Sequence, residues 1–322
     1  MIKLSIILPI YNVESFLPIC LDSLYLQDIE ESEYEIICVN DGSTDKSENV
    51  IKNYQECHNN LVLINKENGG VSSARNAGLE AAQGLFIWFI DPDDFIRSNC
   101  LRFILQSLKE TEADICNITF KNVTERQSLS DTKNTKILKR RYISKQIGSC
   151  WGHIVKRTMA AVLKEDLHYG EDYLWELETC ALAKKQITIF PAVYYYRQRD
   201  NSAMHTVSKE KFQRHVQDIH KLAIYYQILK KDKKYNQIKK NLQNRIDLSV
   251  QCILILLLKS ELTRVEIQNQ IKLLTEEKLY PYKPLWFLLK PCIPLKTYFL
   301  NLCSFFLFSK YVYQFLINLR RS

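Results

Sequence analysis

Leu85-Phe86-Ile87-Trp88-Phe89-Ile90 runs straight into Asp91-Pro92-Asp93-Asp94. A stretch that dense in aromatic and branched residues reads as a strand buried on both faces of a parallel sheet. Its three carboxylates then fall at the C-terminal edge of the sheet, where α/β proteins bind their ligands. Mutual repulsion there is relieved by a hard divalent cation, and Mg²⁺ or Mn²⁺ in turn bridges phosphate oxygens. The competing reading is a cap, Asp93 or Asp94 closing the N-terminus of a helix that starts near Ser98. One aspartate would serve for that, and three are too many.

Working outward, the first 120 residues alternate strand and helix. Strands are expected at 3–8, 34–40, 61–65, 85–90 and 114–120, with helices near 14–27, 45–57, 70–83 and 98–110. In the first helix Phe16-Leu17, Cys20-Leu21 and Leu24 recur with the spacing of one buried face. Such alternation predicts an α/β fold, a mostly parallel sheet flanked by helices. Residues 121–140 are polar and read as a surface connection, and 150–200 resume a denser pattern with a strand at Ile187–Tyr196. From 208 to 277 the pattern is helical, with a buried-looking segment Val250–Leu258.

Each strand end carries its own chemistry. Pro9-Ile10-Tyr11-Asn12 has no glycine, which argues against the G-x-G-x-x-G turn of dinucleotide-binding folds. Tyr11 offers a flat ring for a nucleobase, or it packs on the protein. In Val39-Asn40-Asp41-Gly42-Ser43-Thr44-Asp45, Asp41 stands at the strand tip as an acceptor for a ligand N–H or hydroxyl, and Ser43 or Asp45 can cap the next helix. A phospho-aspartate turn of the D-x-D-G-T kind is excluded, because its nucleophile would fall on Val39. Asn68-Gly69-Gly70-Val71-Ser72-Ser73-Ala74-Arg75-Asn76-Ala77-Gly78 opens a helix with glycines and brings in Arg75, which faces an anion or else is a solvated charge. Gly170-Glu171-Asp172 begins another helix, where two acids either favour the helix dipole or supply a general base.

The chain has 322 residues, 46% of them hydrophobic, enough for a sizeable core. Ten cysteines without a C-x-x-C pair read as reduced thiols of a cytoplasmic protein, and Met1-Ile2-Lys3 leads directly into a strand with no signal peptide ahead of it. Of the net charge of +8, seven charges (Lys278, Lys283, Lys290, Lys296, Lys310, Arg320 and Arg321) lie after Glu277, where no acid follows. The first 277 residues are nearly neutral, which argues against a nucleic-acid partner. The basic tail is rich in Tyr, Trp and Phe, yet its longest uncharged stretch, 297–309, is shorter than the ~20 residues a spanning helix needs. It fits a helix lying on an anionic membrane surface, or one packed on the protein with its lysines snorkelling.

The motifs P-x-Y-N, N-D-G-S-T-D, N-x-G-V-S-x-A-R-N-x-G, D-x-D-D and E-D, in this order, resemble the family 2 glycosyltransferases of the GT-A fold. The likeness is close over 1–120 and weaker to about 205. It implies a nucleotide-sugar-binding half at 1–120 and an acceptor-binding and catalytic half at 121–207, whereas the helical extension at 208–277 and the basic aromatic tail at 278–322 match nothing specific. By similarity, Pro9 and Tyr11 flank the base of a nucleotide-diphosphate sugar, with UDP-sugars among the candidates, and Asp41 accepts from its edge. Asp91 lies towards the ribose and diphosphate, Asp93 is the metal ligand, and Arg75 lies near the phosphates or the donor sugar. Asp172 corresponds to the catalytic base of an inverting transfer, with Glu171 its neighbour. Asp94, Arg199 and His205 are further candidates.

What this implies is a metal-dependent enzyme using Mg²⁺ or Mn²⁺, acting on a lipid-linked or polysaccharide acceptor, peripheral on the cytoplasmic face of the inner membrane. One departure stands out: many relatives carry Trp-Asn-Lys before the acid pair, whereas this chain reads Trp151-Gly152-His153. Acceptor identity therefore does not transfer. Two other classes stay open at this level: a nucleotidyltransferase of related layered fold, disfavoured by the first turn, and a non-catalytic carbohydrate- or nucleotide-binding module.

Overall fold

The computed structural model describes residues 1–124, 139–141, 148–198, 209–259 and 264–279. The chain divides into two compact units, Met1–Val207 and Ser208–Ser322.

In the first unit the described strands are β1 (Leu4–Ile10), β2 (Tyr34–Asp41), β3 (Leu61–Lys66), β4 (Phe86–Phe89), β5 (Phe95–Ile96), β6 (Ile115–Thr124), β7 (Lys139–Arg141), β8 (His153–Lys156) and β9 (Gln186–Gln198). They form one sheet in the order β3-β2-β1-β4-β8-β6-β9-β5, with β7 also paired to β9. Strands β1, β2, β3, β4, β6 and β9 run one way, and β5, β7 and β8 run against them. The helices are α1 (Leu17–Tyr25), α2 (Ser47–Gln55), α3 (Val71–Ala81), α4 (Leu101–Thr111) and α5 (Glu171–Cys180).

Period-two alternation splits the central strand between two cores. Leu4, Ile6, Leu8 and Ile10 face α1 and α4, whose Leu17, Leu21, Leu24, Leu101, Ile104 and Leu108 close that side. Ile7, with Val39, Ile87 and Phe89, faces the opposite side, against Ala74 of α3 and Trp175 of α5. The parallel register pairs Ile10 with Asn40 and Ile7 with Phe89. The ends of β1, β2 and β4 therefore come out at the same edge of the sheet.

Three sequence expectations need correction. The helix expected near Ser98 begins at Leu101, and its N-cap residue, Cys100, makes no side-chain capping bond. Neither Asp93 nor Asp94 caps it. Strand β9 spans 13 residues, starting one before and ending two after 187–196, and β6 continues past residue 120 to Thr124.

The second unit contains α6 (Lys209–Lys231), α7 (Lys239–Lys259) and α8 (Arg264–Glu276). Val216, Ile219, Ala223 and Tyr226 on α6, and Leu242, Ile246, Val250 and Ile253 on α7, are buried at the three-to-four-residue spacing of one apolar face. Among the described residues no helix is long and apolar enough to cross a membrane. Most of the basic aromatic tail, residues 280–322, lies outside the described residues, as do Arg199 and His205.

Helix α3 approaches the sheet through Gly78, where a Cβ would stand 2.3 Å from Ile7 Cγ2 and 3.3 Å from Val39 Cγ2. Ile7 is fully buried in the central strand and cannot yield. Gly78→Ala gains up to ~1 kcal/mol of helix propensity but overpacks the core at a cost of roughly 1–3 kcal/mol. A lowered urea midpoint with an unchanged m-value is expected, and a raised midpoint would contradict this packing.

Candidate active site

The strand ends border a cavity of about 510 Å³ lined by Pro9, Tyr11, Asp41, Gly70, Val71, Arg75, Asp91, Pro92, Asp93 and Tyr196, among others. Tyr11 is half exposed over it. The loop that presents Tyr11 is stitched to the next one by Asn12, which takes up a positive φ of 51°. Asn12 Oδ1 accepts from the Thr44 amide at 2.8 Å, and the Asn12 amide donates to Ser43 Oγ at 3.1 Å. Asp45 acts two residues ahead of the start of α2, accepting from the Ser47 amide at 2.9 Å. Burial raises its carboxyl, but hydrogen bonds from the Ser47 side chain and from backbone amides more than offset this and hold it below the ordinary range.

Asp41 is buried, and its own protein supplies donors to it. Oδ1 accepts from Lys66 Nζ at 2.6 Å and from the Gly69 amide at 2.9 Å, and Oδ2 accepts from the Gly70 amide at 2.8 Å. Gly70 reaches this contact with φ +85°, which a side chain would strain. Three of about four lone-pair sites are thus occupied, so Asp41 shapes the glycine turn at the cavity wall.

Arg75 is buried and is not the solvated charge that the sequence left open. Its Nη2 lies 2.9 Å from Asp91 Oδ1 and its Nη1 2.8 Å from Asp172 Oδ1, with Glu171 Oε1 at 3.7 Å. Burial opposes the guanidinium charge, but Asp172, Asp91 and Glu171 more than offset it, and the group holds its proton more tightly than usual. Burial raises Asp91 to about 6 against the pull of Arg75, with Asp93 and Asp172 adding to the rise. Glu171 is pushed up to about 7, first by burial and then by Asp172.

Asp91-Pro92-Asp93-Asp94 is a turn in which the Asp94 amide donates to the Asp91 carbonyl at 3.0 Å, with Pro92 at its favoured second position. The turn sorts the three acids. Asp91 and Asp93 border the cavity, while Asp94 is 1% exposed and points inward. There it accepts from the Tyr194 hydroxyl at 2.6 Å and the Arg197 amide at 2.7 Å. Burial, then Asp93 and Asp91, raise it to about 8. Asp94 is thus an anchor for β9.

Sequence reading missed four contributors. Tyr194 also accepts from the Asp91 amide at 3.2 Å, and Arg197 Nε donates to the Asp93 carbonyl at 2.9 Å beneath the rings of Phe16 and Phe95. Cys150 Sγ lies 3.0 Å from Asp172 Oδ1. His153, in the departing Trp151-Gly152-His153 segment, is buried between Asn117 Oδ1 at 2.9 Å and Glu176 Oε1 at 3.1 Å. The acid pair with its helical pattern and the departing Trp151-Gly152-His153 segment announced this region, but not these contacts.

Among the described residues no three His, Cys, Asp or Glu side chains converge as a ready-made metal cage. A single cavity-facing carboxylate with a phosphate-bearing ligand is nonetheless the donor set that Mg²⁺ ordinarily takes, and Asp93 fits it.

Known proteins place the chain. A family model described as Glycosyl transferase family 2 matches residues 5–169, just over half of the chain. The chain is 30% identical over 239 residues to the uncharacterized glycosyltransferase EpsJ of Bacillus subtilis (strain 168), covering 69% of each protein. It is 34% identical over 220 residues to the minor teichoic acid biosynthesis protein GgaB of the same organism, covering 64% of this chain but only 24% of that protein. The crystal structure of S. aureus TarS 1–349 superposes with a TM-score of 0.62 at 20% identity, over 87% of this chain and 81% of that one. That structure bears on fold alone, and the fold it shares is GT-A. The strand-end motifs, the family model and EpsJ agree: the chain belongs to glycosyl transferase family 2.

Proposed function

We propose that this enzyme moves a sugar from a nucleotide-diphosphate donor to a hydroxyl of a lipid-linked or polysaccharide acceptor, with inversion at the anomeric carbon. The observation that carries the reading is Arg75. One buried guanidinium holds both Asp91 at the cavity and Asp172 at the start of α5. Donor-side and base-side carboxylates are thereby fixed in one ion-paired cluster.

In this reading the base stacks on Tyr11 against Pro9, and Asp41 accepts from its edge. Support for a UDP-sugar comes from a TarS 1–349 structure described as a complex with UDP-GlcNAc. Support for a cell-surface polymer comes from the teichoic acid name of GgaB. Asp172 takes the acceptor proton as the hydroxyl oxygen bonds to the anomeric carbon, and the bond to the diphosphate breaks on the opposite face. One displacement inverts the configuration and needs no covalent nucleophile. Asp93 would hold Mg²⁺ or Mn²⁺, which supplies charge neutralisation at the departing diphosphate. Arg75 holds Asp91 and Asp172 in alignment through their Oδ1 atoms.

A nucleotide-sugar panel read by mass spectrometry is expected to show transfer that EDTA abolishes and Mg²⁺ or Mn²⁺ restores. Asp172→Asn should lower kcat by about 10²–10⁴-fold, the usual worth of a general base. Transfer surviving both EDTA and Asp172→Asn would sink the mechanism. Arg75→Lys keeps a charge but loses the planar fork that holds two carboxylates at once. We expect it to cut kcat by about a hundredfold and lower the unfolding midpoint, since breaking a buried pair costs roughly 3–5 kcal/mol. Unchanged kcat in a folded Arg75→Lys would remove the bridge from the mechanism.

The acid-free stretch after Glu277 supports peripheral membrane association. The full chain should sediment with phosphatidylglycerol-containing vesicles and be released as salt rises. Equal recovery in the supernatant with and without such vesicles would rule the association out.

A further inference from the structure

Asp172 is held through one oxygen only. Its Oδ1 receives Arg75 Nη1 at 2.8 Å and the Cys150 thiol at 3.0 Å, which uses both lone pairs of that atom. Among the described residues no protein donor reaches Oδ2. Cys150 is fully buried, and burial together with Asp172 pushes its thiol well up, so it keeps the proton it donates. One turn further along α5, Glu176 fastens the same stretch of chain. Its Oε2 accepts from the Gly148 amide at 3.0 Å, and its Oε1 faces His153 Nε2 at 3.1 Å. Residues 148–153 are therefore pinned to α5 at two successive turns, through Asp172 and Glu176.

We propose that Cys150 is a positioning residue for the base: with Arg75 it saturates Oδ1 of Asp172, so that Oδ2 is the oxygen that receives the acceptor proton. This rests on the reading of Asp172 as the base. The charged and titratable groups around Asp172 are Arg75 from α3, Asp91 from the turn after β4, Glu171 on its own helix and the Cys150 thiol. Of these, Cys150 is the uncharged one, and it can be changed without altering the net charge of the cluster.

The test compares full-length wild type with Cys150→Ala and Cys150→Ser. Losing a donor to a charged group should lower kcat about tenfold while donor KM stays within about twofold. It should also move the acid limb of the pH profile up by about half a unit, because the ionised carboxylate loses a hydrogen bond. Serine, a stronger donor, should restore kcat and return the limb to the wild-type position or below it. Equal losses in both variants with an unmoved limb would reduce Cys150 to packing and overturn the proposal.

Carbon-13 carboxyl titration of Asp172, assigned through Asp172→Asn, reads the same shift without turnover. If wild type transfers nothing from any donor, the functional reading fails, while the titration still decides the role of Cys150. If the alanine variant does not fold, the serine variant decides: a titration above wild type overturns the proposal.

Discussion

A buried guanidinium must have its charge answered, and that requirement organises this site. Arg75 enters from α3, yet the carboxylates that answer it come from the turn after β4 and from the start of α5, 16 and 97 residues away in sequence. An isolated charge in so dry a place would be strongly destabilising, whereas a paired one tolerates burial. Helix α3, the end of β4 and α5 are therefore held in mutual register by one side chain. Gly78 sets how deep α3 sits on β1, and so how far Arg75 reaches over the sheet edge.

Carboxylates crowd this bridge: Arg75 pairs with Asp91, Asp172 and Glu171, while Asp93 and Asp94 share the turn that carries Asp91. The raised proton affinities of Asp91, Asp94 and Glu171 record that crowding together with burial. The buried acid takes another route: Asp94 is satisfied by hydrogen bonds alone.

Much of this was legible in the sequence because it is local. The dense run ending at Ile90, the glycine-free first turn and the alternation of strand and helix each depend on neighbours a few residues apart. Tyr11, Asp41, Arg75, Asp91 and Asp93 border one cavity because parallel strands end together. What could not be read depends on distant pairs. Tyr194 and Arg197 reach Asp94 across 100 and 103 residues. Cys150 meets Asp172 across 22 residues and an intervening loop. No periodicity encodes such meetings, and a thiol among ten cysteines carries no mark of its partner.

The helix-cap reading of Asp94 fell for the same reason, and the correction matters for how the site works. A cap would tie Asp94 to its own following helix and leave the turn free to adjust. Tied to β9 instead, Asp94 draws in the Arg197 amide, and the Arg197 side chain then reaches back to the Asp93 carbonyl. Tyr194 closes the loop on the Asp91 amide. The backbone of both cavity-facing acids is thus held from a strand that enters late in the chain. The geometry of Asp91 and Asp93 is a property of the completed sheet, so the turn reaches its working shape only once β9 is in place.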